Sequence, residues 1–272
     1  MSDSAYSDMA AYCETLKLDF SSEELARLAI DNAFSPETLD ALEKVFAYLG
    51  EKKRQTTIQM LLRTSRLPQK SVKTFDNFDF SVLKGKDLAH LQNLRTLGAI
   101  HAHRNIAFIG PAGTGKTHLA QAFGFECCQQ GLKTYFIKAS ELRDKFTFAR
   151  RTGKEASTLT SLVRPSCLII DEVGHCEFDK ESTRLFFDLI DRRYNKEGAY
   201  NIVFTSNKSP SLWRENFSDD GSLLCALDRI FDDAAVFYIK GESFRGKKME
   251  SFALQAGRQV LADCQSDGKR QE

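Results

Sequence analysis

NIAFIGPAGTGKT, residues Asn105 to Thr117, is the stretch whose reading decides the fold. Ile106, Ala107, Phe108 and Ile109 form an apolar run without polar alternation, as expected for a strand buried on both faces. Gly110-Pro111-Ala112-Gly113-Thr114-Gly115-Lys116-Thr117 follows at once and fits G-x-x-x-x-G-K-[ST], the pattern of a P-loop. Its glycines let the backbone curl until N–H groups converge on phosphate oxygens. Lys116 then opens a helix, where its ammonium reaches the β- and γ-phosphates. The Thr117 hydroxyl is placed to ligate Mg²⁺. His118 completes the segment as a further candidate at the nucleotide. The expectation is a site for a nucleoside triphosphate, ATP with Mg²⁺.

The rest of the chain has to supply what such a loop needs. With 272 residues there is room for one α/β domain and a smaller accessory region. A formal net charge of +1 rules out a global field that draws nucleic acid or membrane, so any such contact must use local patches. Seven cysteines without metal-ligand spacing read as reduced thiols in a reducing cytoplasm, with the adjacent Cys127 and Cys128 facing different sides of one helix. No apolar run approaches about 18 residues, so no membrane span is expected. The N-terminus lacks the basic-then-apolar pattern of a signal peptide.

Ahead of the P-loop, Phe20-Ser21-Ser22-Glu23-Glu24-Leu25 reads as a helix start with a capping box and a hydrophobic staple. Ser35-Pro36 opens a second helix with a stripe of Leu39, Leu42, Val45, Phe46 and Leu49, expected to form this region's own core. Gly50 or the charged stretch after it is expected to interrupt the stripe before Ile58, Leu61 and Leu62 resume it. Leu67-Pro68 then breaks the helix. Residues 1–70 are thus expected to be a small helical domain and 71–84 a linker anchored by Phe75, Phe78 and Phe80. An ATPase domain at 85–250 and a disordered tail at 251–272 complete the organisation. Lys52, Lys53, Arg54, Arg63, Arg66, Lys70 and Lys73 form a basic group that reads either as a solvated face or as a phosphate-contacting one.

Beyond the P-loop, Thr134–Ile137 reads as a strand, and a helix opening at Ser140 leads into Arg150-Arg151-Thr152-Gly153-Lys154, a basic cluster expected in a loop. Cys167-Leu-Ile-Ile-Asp171-Glu172 is an apolar strand ending in two carboxylates at the edge where parallel sheets bind ligands. Asp171 is the candidate partner of the metal ion, and Glu172 the candidate general base for the attacking water. A helix is expected from Arg184 to Tyr194, then a strand from Ile202 ending at Asn207. That amide either positions the water or is an ordinary strand-end residue. Asp228-Arg229-Ile230 follows a loop rich in Ser, Asp and Gly, and a fifth strand is expected over 235–239.

Taken together, these residues resemble the AAA+ ATPases of the IstB-like and DnaC-like group, the transposition helpers and helicase loaders. The basic Leu-Pro linker with its phenylalanines, the Asp228-Arg229 pair and the Ser243-Phe-Arg245-Gly ending look closer to the transposition helper. The resemblance implies a parallel five-stranded P-loop domain and a homo-oligomer, as ring, spiral or filament, with ATP between neighbouring subunits. Arg229 would then be an arginine finger reaching the neighbour's γ-phosphate, against the alternative of an ion pair with Asp228 or Asp232. Asn207 looks like the γ-phosphate sensor, and Arg245 resembles a second arginine near the nucleotide. The family also implies sequence-nonspecific duplex DNA and a transposase as partners. Here the DNA contacts would fall on Arg63, Arg66, Lys138, Arg143, Lys145, Arg150, Arg151 and Lys154. A helicase loader is the alternative function.

Overall fold

A computed structural model describes residues 3–218 and 220–241. Arg245, with the rest of the Ser243–Lys248 ending, and the 251–272 tail lie outside the described residues. The N-terminal region starts with a helix that periodicity had not marked, α1 (Asp3–Leu16), whose Met9 and Cys13 are buried and which packs on α3. Helix α2 (Ser22–Asp31) opens on the expected box. The Ser21 hydroxyl accepts from the Glu24 N–H at 3.2 Å, and the Glu24 carboxylate accepts from the Ser21 N–H at 2.8 Å.

Helix α3 (Pro36–Thr64) runs 29 residues without a break, which corrects the expected interruption at Gly50. A glycine inside a helix costs only about 1 kcal/mol. Here it sits beneath a neighbour, since a Cβ on Gly50 would come 3.3 Å from Cδ1 of Tyr12. The stripe is only partly covered: Leu39 is buried, but Val45 is 52% and Leu49 41% exposed. At its far end α3 joins the main domain. Leu61 and Leu67 pack in one cluster with Phe75, Phe78, Ile106, Phe108 and Phe123. The Ser65 carbonyl accepts from the Phe136 N–H at 2.7 Å, which covers part of the sheet's edge.

The linker is anchored as expected, with Phe75 and Phe78 buried and Phe80 packed beside them. Two short helices, α4 (Leu88–Gln92) and α5 (Gly98–His101), then bury Leu91 and Ile100 before the sheet begins. In chain order, the sheet unit is β1 (Asn105–Ile109), α6 (Lys116–Gln129), β2 (Thr134–Lys138), α7 (Ala139–Thr152), α8 (Glu155–Val163), β3 (Cys167–Val173), α9 (Lys180–Tyr194), β4 (Asn201–Ser206), α10 (Asp220–Phe231) and β5 (Ala234–Tyr238). All pairings are parallel, in the order β2-β3-β4-β1-β5. Strand β4 therefore separates the P-loop strand from the Asp171 strand. On β1, Ile106 and Phe108 face the layer containing α6 and the linker, while Ala107 and Ile109 face the layer of α7 to α10. Both faces are covered, hence the unbroken apolar runs.

Three local expectations are corrected. Arg150 and Arg151 form the last turn of α7 rather than a loop, and Lys154 precedes an additional helix, α8. Gly153, at φ 63°, ends α7. The segment before Arg229 is helical as α10, because Leu223, Ala226 and Ile230 recur on one buried face. Helix α9 starts at Lys180, ahead of Arg184, because the Asp179 carboxylate caps it by accepting from the Ser182 N–H at 2.7 Å. Cys127 and Cys128 are both buried free thiols, and burial pushes the Cys128 thiol up to about 11. No helix among the described residues is long and apolar enough to cross a membrane.

Candidate nucleotide site

The P-loop starts where β1 meets two other strand ends. The Gly110 N–H donates to the Ser206 carbonyl at 3.1 Å, and the Ile239 N–H donates to the Ile109 carbonyl at 2.7 Å. A Cβ at Gly110 would collide with the Ile239 carbonyl, so only glycine fits. Gly113 and Gly115 take left-handed φ of 80° and 88°, which turns the loop into α6. The Pro111 carbonyl gathers the far side, accepting from Thr114 Oγ1 at 2.9 Å and Lys116 Nζ at 2.6 Å. The loop thus faces the N-terminus of α6, where unpaired N–H groups and the helix dipole favour an anion.

Across the loop, Thr117 Oγ1 donates to Asp171 Oδ1 at 2.8 Å. Thr205, which the sequence reading passed over, donates to the same oxygen at 2.6 Å and accepts from the Glu172 N–H at 3.0 Å. Asp171 is 1% exposed, and burial pushes its carboxyl above the usual range while the two hydroxyls pull it back. Consecutive strand residues ordinarily point to opposite faces. Here the β3–β4 register slips between Ile170 and Val173, and Glu172 sits at φ 61°. That bulge re-aims the second carboxylate, so that Glu172 lines the cavity beside Thr117. Its Oε2 lies 3.1 Å from Lys138 Nζ, which raises the lysine's pKa.

The cavity has a volume of about 630 Å³, in the range of a nucleotide-sized site. Asn207, just past β4, lines it, and its Nδ2 lies 3.2 Å from His175 Nε2, which lines it too. The opposite wall is the linker, through Lys73, Asn77, Phe78 and Asp79. His118 fastens that wall: its Nε2 lies 3.0 Å from the Thr74 carbonyl, and the Phe78 ring stands edge-on to it at 5.1 Å. Nε2–H is the donor, since a carbonyl only accepts, and burial lowers the His118 pKa. Thr205, His175 and the linker wall carry no local signature. Only the fold brings them to the loop.

The donor set fits ATP and a hard cation. Glycine-freed N–H groups and Lys116 face the anion, and the Thr117 hydroxyl and Asp171 carboxylate meet at 2.8 Å as oxygen ligands would. Arg229 is not part of this gathering. It lies in the last turn of α10, just before β5 begins, at the amino edge of the sheet, whereas the P-loop follows the carboxyl end of β1. A five-residue strand spans about 16 Å between those edges. Its carboxylate partner is Asp191 at 3.2 Å, rather than Asp228 or Asp232. Nearby, Arg193 is wholly buried and donates to the carbonyls of Leu162, Val163, Pro165, Ser166 and Asn201.

The basic candidates divide in two. Lys138, Arg66, Arg143 and Arg150 are ion-paired, to Glu172, Glu141, Asp144 and Asp179 respectively. Arg63, Arg151 and Lys154 are exposed and Lys145 is half-buried.

The sequence pattern of the family described as IstB-like ATP binding protein matches residues 13–252. The chain is 37% identical over 237 residues to an ATP-binding protein of insertion sequence IS5376 from Geobacillus stearothermophilus, covering 86% of this chain and 92% of that one. It is 31% identical over 246 residues to one of insertion sequence IS232 from Bacillus thuringiensis subsp. berliner, covering 89% and 96%. Among solved structures, AMPPCP-bound DnaA from Aquifex aeolicus superposes with a TM-score of 0.52 at 21% identity, over 64% of this chain and 51% of that one. The DnaC helicase loader gives 0.50 at 19% identity, over 62% and 97%. Those two likenesses bear on the fold, a parallel sheet flanked by helices, and the sequence matches bear on kinship. This chain belongs to the family of IstB-like ATP-binding proteins.

Proposed function

We propose that this protein is an ATPase that assembles on duplex DNA and delivers the bound site to a transposase. The observation that carries the reading is the separation of charges between the two edges of the sheet. Lys116, Thr117 and Glu172 line one cavity, with Asp171 bonded to Thr117 beneath it, while Arg229 lies at the far edge, too distant to serve its own P-loop. A second copy, docking its amino edge against this cavity, supplies the missing positive charge. Nucleotide and assembly then become one equilibrium.

In that arrangement the backbone of the loop and Lys116 bind the β- and γ-phosphates. Thr117 and Asp171 hold Mg²⁺, which when bound neutralises phosphate charge. Glu172 accepts a proton from water as the water oxygen bonds to γ-phosphorus. The bridging P–O bond breaks, and its electron pair leaves with ADP. Lys138 must first yield that carboxylate, since the two are paired at 3.1 Å. Asn207 orients the water, and the neighbour's Arg229 meets the charge spread over the γ-phosphoryl oxygens. Hydrolysis then loosens the interface and resets the complex.

DNA contact falls first to the exposed Arg63, Arg151 and Lys154, and with them Lys145, because the ion-paired arginines must give up a carboxylate to take a phosphate. Such contacts follow the backbone, carry little sequence preference and weaken with salt. The transposase is inferred from the relatives, which are insertion-sequence proteins. Electron microscopy of the purified protein with long duplex DNA, with and without ATP, tests the reading. Ordered assemblies that need both ligands are expected. A protein that stays monomeric with saturating ATP, Mg²⁺ and DNA overturns it. Capture of a replicative helicase instead of the transposase points to the loader alternative.

A further inference from the structure

Arg229 is held on its own subunit by three contacts. Nε lies 3.2 Å from Asp191 Oδ1, Nη1 donates to the Cys225 carbonyl at 3.2 Å, and the guanidinium lies 5.2 Å from the centre of the Phe187 ring. Asp191 and Phe187 both belong to α9, four residues apart on one face, opposite the helix that bears Arg229. Asp232, the acid nearest in sequence beyond the helix, is taken by the Tyr194 hydroxyl at 3.1 Å. The arginine is therefore folded back along the junction of α9 and α10.

We infer that Asp191 is a positioning residue that stows Arg229 against its own subunit, so that a neighbour's bound triphosphate must win the guanidinium away before an interface closes. The inference rests on the reading of Arg229 as an arginine supplied in trans. A planar guanidinium prefers a multiply charged phosphate to a single carboxylate, because more acceptor oxygens and more negative charge meet its five donors. ADP, without the γ-phosphate, offers less at the point where the arginine arrives. The stowing pair thus raises the threshold for assembly and makes it selective for the triphosphate. The Arg229 and Asp191 side chains are 32% and 36% exposed, so the pair is a weak, solvent-screened one, suited to exchange.

The test is an ATP titration of assembly on long duplex DNA, followed by sedimentation velocity, for wild type and Asp191→Asn. Binding of a fluorescent ATP analogue to the dilute, DNA-free protein is measured alongside. Removing a pair of this kind is expected to lower the ATP concentration for half-maximal assembly about two- to five-fold. Affinity of the dilute protein for the analogue stays unchanged, which a general structural effect would not produce. Phe187→Leu, which removes the ring under the guanidinium, should shift the threshold the same way and guards against one variant misfolding. ADP-supported assembly should rise in both. An unchanged threshold overturns the inference, and so does a higher one, because Asp191 would then present the arginine rather than stow it. Arg229→Ala separates this from the underlying reading. If that variant assembles and hydrolyses like wild type, the trans arginine itself is lost. If it is defective while Asp191→Asn shows no fall in threshold, only the stowing role is lost.

Discussion

The two edges of the sheet are built to different rules. At the carboxyl edge, the P-loop, Asp171, Thr205 and Glu172 form a closed set of short hydrogen bonds around one cavity, tied together within the subunit. At the amino edge, two arginines on neighbouring helices do unlike work. Arg193 is buried with both Nη atoms donating to backbone carbonyls, while Arg229 is partly exposed and paired to the Asp191 carboxylate. One edge is bonded together within the subunit. The other carries a partly exposed ion pair at its surface. On the proposed reading, nucleotide binds to a single subunit and its hydrolysis waits on assembly.

The largest effect expected from breaking this division is on turnover. Arg229→Ala should lower DNA-stimulated ATP hydrolysis about 10³-fold or more, yet leave nucleotide binding by the dilute protein intact. Mixing it with Lys116→Ala, which cannot grip the triphosphate, should restore part of the rate, because one kind of interface then joins an intact P-loop to an intact arginine. A phosphate-release assay on the mixture reads this directly, and no rescue would place the arginine's work within its own subunit. Glu172→Gln comes next, with hydrolysis down about 10²- to 10⁴-fold and ATP-dependent assembly on DNA retained. If assembly fails as is expected for Lys116→Ala, binding and hydrolysis are not separable steps.

Stability should divide along the same line. Arg193→Ala strands the carbonyls of Leu162, Val163, Pro165, Ser166 and Asn201, and should cost about 3–5 kcal/mol in urea unfolding. Arg229→Ala should cost under about 1 kcal/mol, as befits an exposed pair. The smallest effect concerns Lys196, whose ammonium donates to the Arg164 and Pro165 carbonyls and whose pKa burial brings down to about 8. The folded state releases this proton before the unfolded state does. Burying the charge therefore costs stability in full below pH 8, and the cost is relieved progressively as pH rises from 8 toward the higher pKa of the unfolded chain. The change in urea midpoint from pH 7.5 to 9.5 should be more positive in the wild type than in Lys196→Met.

Legibility in the sequence follows the same division. The P-loop, the strand into Asp171-Glu172 and the capping box at Ser21 and Glu24 were readable because each is a contiguous stretch whose residues meet within one or two turns. Thr205 was not, since its only signal is a hydroxyl near a strand end, and its tie to Asp171 exists because β4 lies between β1 and β3. Gly50 misled for the opposite reason. Its weak local preference is overridden by the packing of α1 across α3. The basic cluster at Arg150 reads as a free patch in sequence, but Asp179 takes that arginine from 29 residues away.

From its residues alone this chain specified an α/β fold, a nucleotide loop and two carboxylates, because strand burial, glycine φ and motif spacing are local properties of the backbone. Tertiary structure decided which of these groups share a cavity, which cations are already paired, and that Arg229 lies on the far side of the sheet from the phosphate site. The physical reason is that parallel strands fix where each end goes, while the partner of a side chain depends on which helix is laid beside it.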